Sequence, residues 1–114
     1  MKYPAFLSTL LLAAAIALPL QAQQAGDPRQ GLSLARQVCY ECHAIHPQQL
    51  MSPDHRAPTF PQLAATPGMT TAALTVALTT PHFGMPMFRL SSEQREDIIA
   101  YIVSLRGTDT TPDK

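Results

Sequence analysis

Residues 39–43 read Cys-Tyr-Glu-Cys-His, two cysteines separated by two residues with a histidine directly after the second. Two thiols at this spacing can add to the two vinyl groups of a haem, and the adjacent imidazole can bind its iron. The motif therefore predicts that Cys39 and Cys42 form thioether bonds to a haem and that His43 is an axial iron ligand.

Other uses of the two cysteines compete with this interpretation. A disulfide would close a loop too small to stabilise the fold much. A thioredoxin-like dithiol would accompany a strand-helix-strand pattern, which this sequence lacks. A zinc site would need more ligands at matching spacing, with His46 as one candidate. A chance match is the last alternative, and the export signal described next favours haem attachment over all of these.

The N-terminus has the composition of a secretory signal peptide. Lys2 supplies a positive charge, and an almost wholly apolar segment runs over residues 6–20. An uncleaved anchor is the rival interpretation, but the apolar core is shorter than the roughly 20 residues that a membrane-spanning helix needs. The sequence predicts a signal peptide over residues 1–22, cleavage after Ala22 with Ala25 as the alternative, and a periplasmic protein.

The length of the chain and its charge narrow the possible functions. A chain of 114 residues allows one small domain, predicted over residues 23–107, with a flexible C-terminal tail over residues 108–114. Eight Lys and Arg balance eight Asp and Glu, and loss of the signal peptide removes only Lys2 from these. Neither a basic stripe nor a strong acidic field is present, so no nucleic-acid partner is expected.

Capping residues and apolar spacing predict three helices. The first covers residues 28–40 with Asp27 as N-cap, and the second covers residues 70–80. The third covers residues 91–105, where Gln94 completes a capping box. Its apolar stripe has helical spacing and comprises Ile98, Tyr101, Ile102 and Leu105. No useful stretch alternates with period two, which favours an all-α fold.

Two segments rich in proline or glycine separate these helices. Five prolines predict mainly ordered loop over residues 44–69, and a loop this long in a small domain needs something to wrap around. A second loop over residues 81–90 contains Met85 and Met87, either of which could close over the opposite face of a haem. The residues alone leave the choice between the two methionines open.

Over residues 26–106 the chain resembles the small bacterial class I cytochromes c. The matching features are Gly31 eight residues before Cys39, the motif itself, Ala57-Pro58, Met85-Pro86, and Ala100-Tyr101-Ile102 in the last helix. The resemblance implies the all-α class I cytochrome c fold, in which three to four short helices and long loops wrap around one covalently bound haem c.

Roles for individual residues also follow from the resemblance. It implies that Met85 is the distal iron ligand and that the carbonyl of Pro58 receives the other ring nitrogen of His43. It also implies that Gly31 lets the first and last helices cross closely. The packing at that contact is then expected to come from Ile98 and Tyr101.

The chain departs from the family pattern because it contains no tryptophan. A family contact from tryptophan to a haem propionate must therefore come from a tyrosine or an arginine. Arg56 and Arg89 are the candidates, although each also fits a solvated surface charge. His82 is a minor candidate for a second axial histidine.

Together these expectations predict a periplasmic mono-haem electron carrier that is not an enzyme. A dehydrogenase or reductase would donate electrons, and an oxidase or another cytochrome would accept them. A monomer without a stable membrane anchor after signal cleavage is expected. Two alternatives stay open, namely a cytochrome subunit bound tightly to a specific dehydrogenase and a haem enzyme or gas sensor with an open iron position.

Overall fold

The computed structural model describes residues 26–108, which form four α-helices joined by loops. Helix α1 spans Pro28–Val38, α2 Phe60–Ala65, α3 Thr71–Thr79 and α4 Ser92–Ser104. The described segment contains no β-strand beyond one isolated bridge. The predicted all-α fold of three to four short helices is confirmed.

The predicted signal peptide over residues 1–22 lies outside the described residues. The predicted tail lies outside them from residue 109 onward, so both boundaries remain predictions. Among residues 26–108, no helix combines the length and the apolar character needed to cross a bilayer.

The first and last helices begin at the predicted caps. The carboxylate of Asp27 accepts a hydrogen bond from the amide of Arg29, and a proline occupies the first turn of α1. At α4, Ser91 and Gln94 form the reciprocal capping box that the sequence indicates. Gly107 has a positive φ of 77° and lies two residues beyond the C-cap of α4, Leu105.

Helix α2 corrects the prediction of mainly loop over residues 44–69. The prolines of this segment argue against a helix, but Pro61 lies in the first turn of α2, where its missing N–H costs no intrahelical hydrogen bond. Thr59 and Gln62 form a capping box that satisfies exposed donors at the helix start. The two capping-box residues are visible in the sequence, but the neighbouring prolines favour a loop over a helix.

Helices α1 and α4 cross at Gly31, as predicted. A Cβ atom placed there would lie 1.9 Å from the carbonyl oxygen of Asp97 and 2.8 Å from the Cβ of Tyr101. Only glycine allows this approach. Next to the crossing, the amide of Asp27 donates to the carboxylate of Asp97 at 2.7 Å. The atoms nearest to Gly31 thus belong to Asp97 and Tyr101, whereas Ile98 is buried in the adjoining core.

Helix α4 is the centre of the core and packs against α1, α2 and α3. The predicted stripe on this helix is buried over its whole length: Ile98, Tyr101, Ile102 and Leu105. Ala35, Phe60 and Leu74 from the other three helices complete the cluster with these residues. The apolar period read from the sequence therefore predicts the buried face of α4 correctly.

Candidate haem and iron site

The 39–43 motif forms a single turn directly after α1. The amide of Cys39 donates to the carbonyl of Ala35 at 2.9 Å and so ends the helix. The amides of Cys42 and His43 both donate to the carbonyl of Cys39, at 3.2 and 2.9 Å. This turn brings Cys39, Cys42 and His43 to the wall of the same cavity.

The cavity has a volume of about 310 Å³. Its wall is mainly apolar and includes Val38, Phe60, Leu63, Leu74, Leu78 and Ile102. Protein interiors are normally close-packed, and a concave apolar space of this size is typical of a small-molecule or cofactor site. The shape and lining therefore fit a large, mostly apolar group.

The two cysteines differ in their surroundings, and no disulfide joins them. Burial and, to a smaller extent, the charge of nearby Cys42 raise the pKa of the Cys39 thiol to about 11. Cys42 is only partly buried. The buried position of Cys39 favours a neutral sulfur, which is what a thioether provides.

The imidazole of His43 is oriented by the loop that precedes α2. Its Nδ1 lies 2.7 Å from the carbonyl oxygen of Pro58. A carbonyl oxygen can only accept, so Nδ1 carries the proton and Nε2 keeps its lone pair available for a metal. The ring of Phe60 lies 5.5 Å from the imidazole, centroid to centroid, and limits its rotation.

The loop after α3 brings Met85 to the same cavity. Gly84, with a φ of +84°, makes a tight turn in which the amide of Met85 donates to the carbonyl of His82 at 3.4 Å. His82 also lines the cavity. Met87 does not line it, and 51% of its surface is exposed. The residues alone leave both methionines as candidate ligands. The tertiary structure distinguishes them, because Met85 lines the cavity and Met87 does not.

The two arginines named as candidates for a propionate contact lie in different places. Arg56 lines the cavity, where Nε and an Nη donate to the two carboxylate oxygens of Asp54 at 3.2 and 3.1 Å. Hydrogen bonds from the side chain and the backbone of Arg56 hold the pKa of Asp54 at about 2. Arg89 is exposed and is not part of the cavity wall.

Within residues 26–108, no three or more His, Cys, Asp and Glu side chains are grouped as a metal site would require. The zinc alternative therefore has no supporting ligand set in this part of the chain. The donors around the cavity are two thiols, an imidazole with a free Nε2 and a thioether, and this combination suits a covalently attached haem.

Comparison with known proteins identifies the family. The family model described as cytochrome C oxidase, cbb3-type, subunit III matches residues 26–102, which is more than half of the chain. The chain belongs to the cytochrome c family. A cytochrome c-552 from Bradyrhizobium diazoefficiens is 36% identical over 98 residues, covering 85% of this chain and 92% of the relative. No solved structure is significantly similar to the chain.

Family membership confirms the predicted cofactor and the general role. As a cytochrome c, the protein carries covalently bound haem c and is an electron carrier. The residues that line its cavity fit that cofactor in number, chemistry and placement.

Two contacts in this cytochrome c were not found by sequence reasoning. The hydroxyl of Tyr101 donates to the carbonyl of Ile45 at 2.6 Å, and the hydroxyl of Ser52 accepts from the amide of Ala44 at 3.0 Å. The first contact joins residues 56 positions apart. No local sequence pattern marks such a contact, and the stripe on α4 indicated only that Tyr101 is buried.

Proposed function

We propose that this cytochrome c is a periplasmic one-electron carrier in which a histidine and a methionine would bind the haem iron. Cys39 and Cys42 would hold the haem through thioether bonds, and His43 and Met85 would bind its iron. The observation that carries the proposal is that these four side chains, from two segments far apart in sequence, line one apolar cavity.

The haem supplies reversible one-electron chemistry at its iron when it is bound. The protein contributes the ligands and the medium. The Pro58 carbonyl orients His43 and makes its imidazole a stronger donor. The thioether of Met85 is a neutral donor that favours the ferrous form and raises the potential. The apolar wall limits access of water, which keeps rearrangement on electron transfer small.

The proposed site is tested on the purified holoprotein by two measurements. Denaturing mass spectrometry should find one haem covalently attached to the peptide that contains residues 39–43. Potentiometric titration followed by absorbance should show a single reversible one-electron step. A haem lost on denaturation would contradict the thioether assignment, and a ferrous protein that binds carbon monoxide as readily as an open-site haem protein would favour the sensor or enzyme alternative.

The export proposal concerns residues 1–22. We propose that they are removed after Ala22, which leaves a folded domain over residues 23–107 and a short polar tail. Intact-mass measurement of the protein from the periplasmic fraction should give a chain that begins at Gln23. Retention of residues 1–22 in a membrane fraction would support the uncleaved anchor instead.

The proposed partners are a donor dehydrogenase or reductase and an acceptor oxidase or cytochrome. Exposed apolar side chains, including Phe83, Met87 and Phe88, lie in the loop that carries Met85. Residues 66–92 contain no Asp or Glu, so this part of the surface has little charge for long-range steering. These features support a small and rapidly exchanging contact with redox partners.

A second candidate function is a haem subunit held in a larger complex. The name of the matching family model, an oxidase subunit, favours it. The close match in length to a cytochrome c-552 supports the free carrier. Size-exclusion chromatography with light scattering on the native periplasmic protein separates the two, because a carrier elutes as a monomer and a subunit elutes with its partner.

A further inference from the structure

The two residues after His43 are held in place by side chains to which no role has been assigned. Ala44 and Ile45 are almost completely buried, with 0% and 2% of their surfaces exposed. The amide of Ala44 donates to the hydroxyl of Ser52 at 3.0 Å, and the carbonyl of Ile45 accepts from the hydroxyl of Tyr101 at 2.6 Å. Buried backbone groups with such partners are costly to release.

The remaining backbone groups of this dipeptide are also paired. The carbonyl of Ala44 accepts from the amide of Phe60 at 2.8 Å, and the amide of Ile45 donates to the side chain of Gln49 at 2.9 Å. All four polar backbone groups of Ala44 and Ile45 are therefore satisfied. The segment has one well-defined position relative to both α4 and the loop before α2.

This position is coupled directly to the imidazole. The bond from Phe60 to Ala44 lies beside the bond from His43 Nδ1 to Pro58. Residues 43 and 44 are thus joined at two neighbouring points to the start of α2 and the loop before it. A displacement of Ala44 would change the distance between Nδ1 and the Pro58 carbonyl. The ring of Phe60 is also packed between those of His43 and Tyr101, at 5.5 and 6.2 Å.

We propose that Ser52 and Tyr101 are positioning residues that set the donor strength of His43 and thereby the reduction potential. They act through Ala44 and Ile45, which fix the hydrogen bond from Nδ1 to Pro58. The inference rests on the proposed role of His43 as an iron ligand. It adds an assignment for two residues that neither line the cavity nor belong to the 39–43 motif.

The expected direction of the effect follows from the chemistry of imidazole. A strong hydrogen bond from Nδ1 places more electron density on Nε2, and this stabilises ferric iron. When Ser52 or Tyr101 loses its hydroxyl, the segment loosens and the bond to Pro58 weakens. The ferric form is then stabilised less relative to the ferrous form, so the reduction potential rises.

The experiment uses the holoprotein with Ser52→Ala and Tyr101→Phe, which each remove one hydroxyl. Ile99→Val is the matched control, because it weakens packing in α4 without removing any of these hydrogen bonds. Thr75→Val, which removes a hydroxyl that bonds within α3 to the carbonyl of Thr71, controls for loss of a hydroxyl elsewhere. The measurements are the reduction potential, the hydrogen-exchange rate of the His43 Nδ1 proton and of the Ala44 amide by NMR, and the thermal midpoint.

Both hydroxyl variants should raise the potential and accelerate the two exchange rates on the order of tenfold, as loss of about 1.4 kcal/mol of protection would give. Both controls should keep the wild-type potential and Nδ1 exchange rate, even though Ile99→Val lowers the thermal midpoint. Unchanged potential and Nδ1 exchange in both hydroxyl variants would overturn the proposal, whatever the loss of stability. If one variant does not fold, the other decides the result.

The same samples separate this inference from the function on which it rests. A wild-type protein whose ferric spectrum lacks low-spin histidine and methionine ligation would contradict the proposed function itself. Normal ligation in the wild type and in both variants, with no shift in potential, would contradict only the positioning role.

Discussion

The Nδ1 atom of His43 donates a hydrogen bond to the carbonyl oxygen of Pro58 across 2.7 Å, which joins the haem-attachment motif to a loop fifteen residues further along the chain. The bond fixes the tautomer of the imidazole and leaves Nε2 free for iron. It is therefore the point at which the fold determines the properties of the proposed ligand.

Substitution of Met85 tests the distal ligand. Met85→Ala should abolish the long-wavelength absorption band that a methionine ligand gives to ferric haem, and it should lower the reduction potential because a neutral thioether donor is lost. Absorption spectra of the oxidised protein and a potentiometric titration measure both effects.

Met87→Ala and His82→Ala are the matched controls for that test. Met87 lies in the same loop without lining the cavity, and His82 lines the cavity in the same turn as Met85. Both variants should keep the band. Loss of the band in Met87→Ala alone would assign the ligand to Met87, and its persistence in all three variants would refute methionine ligation at this loop.

The crossing of α1 and α4 is tested at Gly31. The Cβ atom in Gly31→Ala would lie 1.9 Å from a backbone oxygen, so the helices must move apart. We expect a loss of about 1–3 kcal/mol in the free energy of unfolding, since overpacking outweighs the gain in helix propensity. Guanidinium denaturation followed by circular dichroism gives the value.

Ser33→Ala provides the control on α1, because Ser33 lies on the same helix and is exposed. It should be neutral or slightly stabilising, since alanine is the better helix former. Equal stability of Gly31→Ala and Ser33→Ala would show that the two helices do not approach as closely as described.

The ion pair on the cavity wall is tested with Arg56→Gln. Arg56 lowers the pKa of Asp54 from 3.8 to about 2, and either value leaves the carboxylate charged at neutral pH, so removal of the arginine leaves an unpaired negative charge beside the cavity. That charge stabilises ferric haem, and the reduction potential should fall. The shift should shrink in high salt, because both groups are accessible to solvent.

Two variants make the Arg56 experiment specific. Arg89→Gln removes the same charge away from the cavity wall and should change the potential less. The double variant Asp54→Asn/Arg56→Gln removes both charges and should return the potential toward the wild-type value. A fall of equal size in the two single variants would contradict a local effect of the pair.

The hydroxyl of Tyr101 should also make stability depend on pH in the alkaline range. Burial raises the pKa of Tyr101 above 10.0 in the folded protein, so its stabilising contribution is complete below pH 10 and is lost as the pH rises through the folded pKa. Tyr101→Phe should be less stable than the wild type by about 1–3 kcal/mol at neutral pH, because the Ile45 carbonyl loses its partner.

The difference between the wild type and Tyr101→Phe should narrow as the pH rises above 10. Thermal unfolding between pH 7 and pH 11 measures it, with Ile99→Val as a control whose difference from the wild type should not narrow, because it keeps Tyr101. A difference that stays constant over this range would mean that the Tyr101 phenol has the same pKa in the folded and unfolded chain.

Local chemistry explains why much of this fold could be predicted. The Asp27 and Ser91 caps and the apolar stripe of α4 act over one to four turns of a single helix, and such signals are visible in the residues themselves. The close crossing at Gly31 was implied by resemblance to a family. The prediction of mainly loop over residues 44–69 missed α2, because it followed the prolines of the segment and not the capping box at the start of the helix.

The amino-acid pattern alone was enough to predict the cofactor, its attachment motif and an all-α fold, because thiol spacing and helix periodicity are properties of neighbouring residues. Which of Met85 and Met87 lines the cavity depended on the path of their loop in three dimensions. The hydrogen bonds from Tyr101 to Ile45 and from Ala44 to Ser52 depended on how α4 and the loops pack. Contacts between distant residues arise from the packing of the whole chain, and no short stretch of sequence encodes them.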